Sequence, residues 1–192
     1  TINVSKSSFC QKEIRYLGYI VGNGCLKVDP GKVESIKNFP LPRTPKQVRR
    51  FIGMANWYRS FIYNFSDLAG ALTDCLKKSQ KSFQLTDSAK MSFEKLKDAL
   101  SSAPVLAQPN YDREFIIQCD ASQIGVGGVL LQYDDDGREH PIAFVSQKLN
   151  KAQRNYTVTE LECMAAIVCV NRFRPYVEGF PFRILTDHSS LK

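Results

Sequence analysis

The sequence predicts an α+β chain: a β-hairpin leads into a mainly helical part, and a sheet-forming α/β part follows. Three observations carry this. Gly22-Asn23-Gly24 is turn chemistry between two short extended stretches. Two helix starts with proline in the first helical position come next, after Asp29 and Thr44. From Glu114 onward, apolar runs rich in β-branched residues alternate with turn signals and one long helical pattern. With 192 residues, 43% of them hydrophobic, the chain holds one large or two small domains with real cores.

The hairpin strands are expected at residues 13–21 and 24–28, with Leu17-Gly18-Tyr19 as a strand carrying a glycine bulge. Asp29-Pro30 caps a short helix that stops before Pro40, and residues 40–43 read as a linker. Thr44-Pro45-Lys46-Gln47 has the signature of a capping box, so a helix of roughly 17 residues follows, to about Phe61. Val48, Phe51, Ile52, Ala55, Tyr58 and Ile62 recur at helical spacing and face a core. The other side carries Lys46, Arg49, Arg50, Gly53 and Trp57. Arg49, Gly53 and Trp57 follow i, i+4, i+8 spacing, forming one track of charge, bare backbone and ring. A further helix is expected over residues 66–78. The polar stretch 79–82 divides the chain into domains 1–80 and 81–192. Thr86 then caps a helix whose Ala89, Phe93, Leu96 and Leu100 form its buried stripe.

The run 114–119 ends on Asp120, and a glycine-rich apolar run, 125–132, follows at hairpin distance. A carboxylate on a strand in an apolar sheet is costly unless compensated, which makes Asp120 either a partnered structural acid or a metal ligand. Tyr133-Asp134-Asp135-Asp136 matches a short polymerase pattern, but Asp136-Gly137 is a strong hairpin signal and the stretch reads as a turn. A helix opens near Thr157 and carries Glu160 and Glu162. These lie about 200° apart around the helix, so one of them faces the strands. Both flank the apolar stripe Cys163, Ala166, Ile167, Val170 and Phe173, and periodicity does not choose between them. A last strand ends on Asp187-His188. Two strands and one helix are thus in a position to converge three carboxylates.

The net charge of +7 is uneven. Residues 1–95 hold 16 Lys and Arg against 7 Asp and Glu, whereas 96–192 hold 10 against 12. A basic part that holds a polyanion, joined to a part that collects carboxylates for cations, fits this division. The six cysteines are scattered without a C-x-x-C pair, which speaks against a zinc site or disulfide frame and for a reducing, intracellular setting. No run approaches the length of a membrane span, so no membrane partner is expected.

The phrases "CDAS", "GVGGVLLQ", "PIAFVSQKLNKAQRNYTVTELE" and "LTDHSSLK", in this order, resemble the ribonuclease H domain of gypsy-type LTR retrotransposon Pol polyproteins. The resemblance extends over essentially the whole chain. "RRFIGMANWYRSFI" resembles the reverse-transcriptase thumb helix that lies along the template–primer, and the first hairpin looks like the primer grip at the end of the palm. The resemblance therefore implies a thumb-like helical part followed by a C-terminally truncated ribonuclease H-like domain. It implies Asp120, Glu162 and Asp187 as metal-binding catalytic acids, with Glu162 chosen because the family pattern sets the ligand just before a small apolar run. The cofactor implied is Mg2+ as two ions, or Mn2+ in its place. Nucleic-acid contacts are implied at Leu17, Gly18, Tyr19, Lys46, Arg49, Arg50, Gly53 and Trp57. The partners are an RNA/DNA hybrid or template–primer duplex and the rest of the Pol polyprotein. Gln147 departs from the arginine expected at its place. The family pattern continues past Asp187 to a fourth carboxylate and begins upstream with the polymerase acids, so the sequence is expected to be an internal fragment. A remnant that binds nucleic acid without catalysis is the alternative.

Overall fold

Two tight turns, each with its central pair of residues at positive φ, build the first sheet. In the computed structural model, which describes residues 7–77 and 83–187, strands β1 (Glu13–Tyr16), β2 (Tyr19–Gly22) and β3 (Cys25–Val28) form an antiparallel meander. Asn23 and Gly24 turn at φ 50° and 69°, in keeping with their chemistry. The stretch Leu17-Gly18-Tyr19 departs from the glycine bulge its sequence suggests. It is not a bulge in one long strand but a second two-residue turn, with Leu17 at φ 50° and Gly18 at 85°. Leucine hides the signal because it seldom adopts left-handed backbone. Here the Trp57 indole N–H, which donates to the Leu17 carbonyl at 3.2 Å, helps hold it there.

Helix α1 (Pro30–Lys37) starts where the Asp29 carboxylate accepts from the Gly31 N–H, and α2 (Pro45–Trp57) where the Thr44 hydroxyl accepts from the Gln47 N–H; the expected capping box is only half formed, since the Gln47 side chain accepts from the Arg43 N–H (2.7 Å) and not from that of Thr44. Helix α2 ends four residues earlier than its sequence pattern suggests. A 3-10 turn, Arg59–Phe61, follows, and Phe61 and Ile62 are buried beyond α2. The single helix expected over 66–78 is instead two short pieces, α3 (Phe65–Leu68) and α4 (Gly70–Asp74), and Lys78 lies outside the described residues. The Gly70 carbonyl is taken by the Thr73 hydroxyl (2.7 Å) and the Lys148 ammonium (3.5 Å), which favours a short, irregular piece over a long regular helix. Helix α5 (Asp87–Ser101) buries Ala89, Phe93, Leu96 and Leu100 as their spacing predicts. The Phe51 and Phe93 rings meet at 4.4 Å, at the centre of a core drawn from α1 to α5. Strand β4 (Leu106–Ala107) then pairs with β3, giving the order β1-β2-β3-β4. The domain boundary expected at residue 80 lies outside the described residues; α5, beyond it, packs into the helical core.

The second sheet has the order β7-β6-β5-β8. Strands β5 (Phe115–Ala121), β6 (Gly125–Tyr133) and β7 (Glu139–Lys148) are antiparallel, and β8 (Phe182–Leu185) returns parallel to β5 after helix α6 (Val158–Val177). Pro141 is tolerated because it sits on an edge strand at the register shift opposite Leu130 and Leu131. The buried row of α6 is Leu161, Ala165, Cys169, Phe173 and Val177. The stripe read from sequence was therefore misplaced: Cys163 and Ile167 point to solvent, and of its members only Phe173 is buried. The helix is apolar nearly all round, so periodicity could not select the face.

The two parts dock through the glycines of β6. A Cβ on Gly125 would lie 2.5 Å from the Asp67 carboxylate, and one on Gly127 would overlap Asn64. On the opposite face, a Cβ on Gly128 would overlap the Cys169 sulfur and lie 2.6 Å from the Gln118 carbonyl. Across the same junction Ser66 N–H donates to the Ser146 hydroxyl (2.9 Å), Arg59 to the Ser146 carbonyl (2.8 Å) and the Ser122 hydroxyl to Asp67 (3.0 Å). The Lys148–Asp74 pair at 2.9 Å is partly exposed and adds at most about 1 kcal/mol. Close backbone approach and shielded hydrogen bonds, more than ion pairing, hold the junction.

Candidate active site and nucleic-acid interface

Strand β5 ends with alternating side chains, so Cys119 turns toward α6 while Asp120 turns to the open face. Gln118 is paired in parallel with Leu185, which puts Asp120 and Asp187 the same two steps past a matched pair. Both acids line one cavity of about 660 Å3, with Tyr63, Gln118, Glu139 and Phe144 among its walls. Asp120 is exposed, not enclosed in the apolar sheet, so the desolvation argument made for it from sequence does not apply. Among the described residues, the side-chain donor it meets comes from the helical part: the Tyr63 hydroxyl, at 3.2 Å from Oδ2. Burial first, and then the Asp120 charge, push the Tyr63 phenol up from its ordinary value.

The two glutamates of α6 separate cleanly. Glu160 closes a capping box with Thr157, accepting from its backbone N–H at 2.7 Å and its hydroxyl at 2.9 Å. These bonds, the backbone one foremost, hold the Glu160 carboxyl below the usual carboxylate range. Glu162 is buried, with 5% exposure, and faces the sheet. The Cys119 thiol reports on all three acids at once. Burial raises its pKa first, and the charges of Glu162, Asp120 and Asp187 raise it further.

The fold thus brings Asp120 and Asp187 together on one cavity wall and Glu162 within electrostatic reach of the same sulfur, although Glu162 does not line the cavity. The donors are all carboxylate oxygens, the type that Mg2+ and Mn2+ prefer. Among the described residues, no three His, Cys, Asp or Glu side chains are grouped closely enough to hold a metal ion. His188 lies outside the described residues.

The second set of candidates lies on α2 and the first hairpin. Lys46, Arg49, Arg50, Gly53 and Trp57 are all exposed, and Arg50 rests over the Phe39 ring at 5.9 Å. A Cβ on Gly53 would meet nothing within 4 Å, so packing inside the chain does not explain the glycine. Leu17 is exposed at the tip of its turn. Tyr19 is turned inward: its ring stacks on Phe61 and Trp57, and its hydroxyl donates to the Trp57 carbonyl at 2.7 Å. It fixes the hairpin onto α2 more than it faces solvent. Tyr63 and the docking acid Asp67 were missed from sequence because neither stands in a motif; their contacts are across 57 and 55 residues of chain. The Asp134 turn holds as read, with Gly137 at φ 75°.

Residues 85–184 match the family model described as an RNase H-like domain found in reverse transcriptase. The whole chain aligns at 36% identity with the retrovirus-related Pol polyprotein from transposon 297 of Drosophila melanogaster, and 99% of it at 38% with that from transposon opus. Identity to the transposon Tf2-3 polyprotein of Schizosaccharomyces pombe is 33% over 99% of the chain. The chain spans only 18%, 20% and 14% of these curated relatives. Among solved structures, 97% of the chain superposes with a TM-score of 0.80 and 21% identity on 26% of a foamy viral protease-reverse transcriptase in complex with RNA/DNA hybrid. The same protein in complex with dsDNA gives 0.80 and 20% over 94% of this chain and 37% of that one. Among the described residues, no helix is long and apolar enough to cross a membrane.

Proposed function

This chain belongs to the family of RNase H-like domains found in reverse transcriptase, and on that premise we propose that it holds an RNA/DNA hybrid or template–primer duplex and cleaves RNA within a larger Pol polyprotein. RNA-directed DNA synthesis belongs, in this reading, to the whole polyprotein. The observation that carries the proposal is the shared cavity of Asp120 and Asp187, with Glu162 buried against the same Cys119. Asp120, Glu162 and Asp187 would hold Mg2+, or Mn2+ in its place; two such ions supply an activated water and charge neutralisation at the leaving 3′ oxygen. The chain's own residues do the rest. Tyr63 fixes the orientation of Asp120, Lys46, Arg49 and Arg50 offer cations to phosphates, and the bare backbone at Gly53 admits a sugar–phosphate strand beside Trp57.

A second reading, nucleic-acid binding without catalysis, is favoured by one observation: among the described residues no three donors stand ready around an ion. The test is metal-dependent cleavage of the labelled RNA strand of an RNA/DNA hybrid by residues 1–192, beside Asp120→Asn and Glu162→Gln. Cleavage that is lost in both variants is the expected result. Cleavage that survives both would sink the assignment of these acids. No cleavage, with hybrid binding that weakens steeply with salt, would leave the second reading.

A further inference from the structure

Arg59 and Arg172 come from different parts of the chain, one just after α2 and the other on α6, and both line a cavity of about 250 Å3. Its remaining walls include the hydroxyl-bearing Ser60 and Tyr176 and the apolar Val145 and Phe173, and among the described residues no carboxylate lines it. Arg59 donates to the Asn56 side-chain oxygen (3.2 Å) and the Ser146 carbonyl (2.8 Å) and lies over the Phe65 ring at 5.3 Å. All three partners are neutral, so its charge is held in place and left uncompensated. The Arg172 side chain makes no hydrogen bond or ion pair among the described residues. Glu178, at the end of the same helix, is already taken by Arg174. Burial first, and then the Arg172 charge, lower the Arg59 pKa, which is the mark of two guanidiniums in each other's field.

We propose that Arg59 and Arg172 form a binding site for one phosphate group, with the Ser60 and Tyr176 hydroxyls completing its donors. Two like charges share a small cavity in which no described residue supplies an acid, and a bound oxyanion removes that repulsion. Planar guanidinium forks suit the oxygens of a phosphate, and three of the five N–H donors of Arg59 remain unused by its neutral partners. The site is separate from the carboxylate cavity and from the track on α2, and it stands whether or not this chain cleaves RNA.

The experiment compares melting temperatures in inorganic phosphate and in sodium chloride of equal ionic strength, for the wild-type chain, Arg172→Gln and the exposed-cation control Lys151→Gln. Arg172 is exposed, so its variant is expected to fold. The expected result is a phosphate-specific rise in the wild type and the control that Arg172→Gln loses. A second arm titrates salt against RNA/DNA hybrid binding. A slope reduced by about 0.9 in Arg172→Gln assigns the phosphate to the nucleic-acid backbone; an unchanged slope with the melting effect still lost assigns it to a free phosphate compound. No rise beyond that in chloride, or an equal rise in Arg172→Gln, would overturn the proposal.

Discussion

The helical part and the sheet part assemble their candidate residues in different ways. On α2 a single helix presents Lys46, Arg49, Arg50, Gly53 and Trp57, and the 3.6-residue period alone is enough to put them on one exposed face. In the sheet part Asp120 comes from β5, Glu162 from α6 and Asp187 from the bend two residues past the end of β8, which stops short of the acid the sequence put on it, and Tyr63 reaches Asp120 from the other part altogether. One surface is made by local structure and the other by topology. The glycines show the same contrast: Gly53 is open to solvent, whereas Gly125, Gly127 and Gly128 are bare because other atoms occupy the space.

Substitution at these glycines gives the largest effect by which the contrast can be broken. Gly128→Ala forces a methyl against the Cys169 sulfur and a backbone carbonyl that cannot swing away, and is expected to cost about 3 kcal/mol, read as a lower urea midpoint. Gly53→Ala meets nothing; it should leave the fold as stable or up to about 1 kcal/mol more so while weakening hybrid binding. If both variants melt like the wild type, the close approach at β6 is not what joins the layers.

A smaller effect separates the two faces of α6. Cys163 is exposed, whereas burial, with Cys119 nearby, pushes the Cys169 thiol up to about 12. A thiol reagent followed by mass spectrometry should label Cys163 in the folded chain and Cys169 only as molecules unfold. Equal rates would restore the face read from the sequence.

The smallest effect is local to the β6–β7 turn. The His140 hydrogen bond foremost, and then the Arg138 backbone N–H, hold the Asp134 carboxyl at about 2. A depressed carboxylate contributes its stability in full above its ordinary range and loses it as pH falls through about 2. Carboxyl NMR titration should find that midpoint, and His140→Gln should raise it. A midpoint unmoved by that change would remove His140 from the turn.

How far each region was legible follows from the range of its interactions. The caps at Asp29, Thr44 and Thr86, the buried rows of α2 and α5 and the turns at Asn23-Gly24 and Asp136-Gly137 rest on contacts a few residues apart, and the sequence carried them. The turn at Leu17-Gly18 and the shortness of α4 were not legible, since an unusual backbone at leucine and a Gly70 carbonyl claimed by Lys148 leave no local mark. The motif wording pointed to the three acids. It could not reveal that Asp120 is exposed or that Glu160 is spent on a cap while Glu162 turns inward.

The sequence by itself determined the main helix starts, the family and the basic face of α2, because periodicity, caps and phrase order are properties of neighbouring residues. Only the tertiary structure decided which face of α6 is buried, that the β6 glycines are the seat of the helical part, and that Tyr63 meets Asp120. Those outcomes depend on what arrives from distant chain to fill a given space, and neither spacing nor composition encodes that.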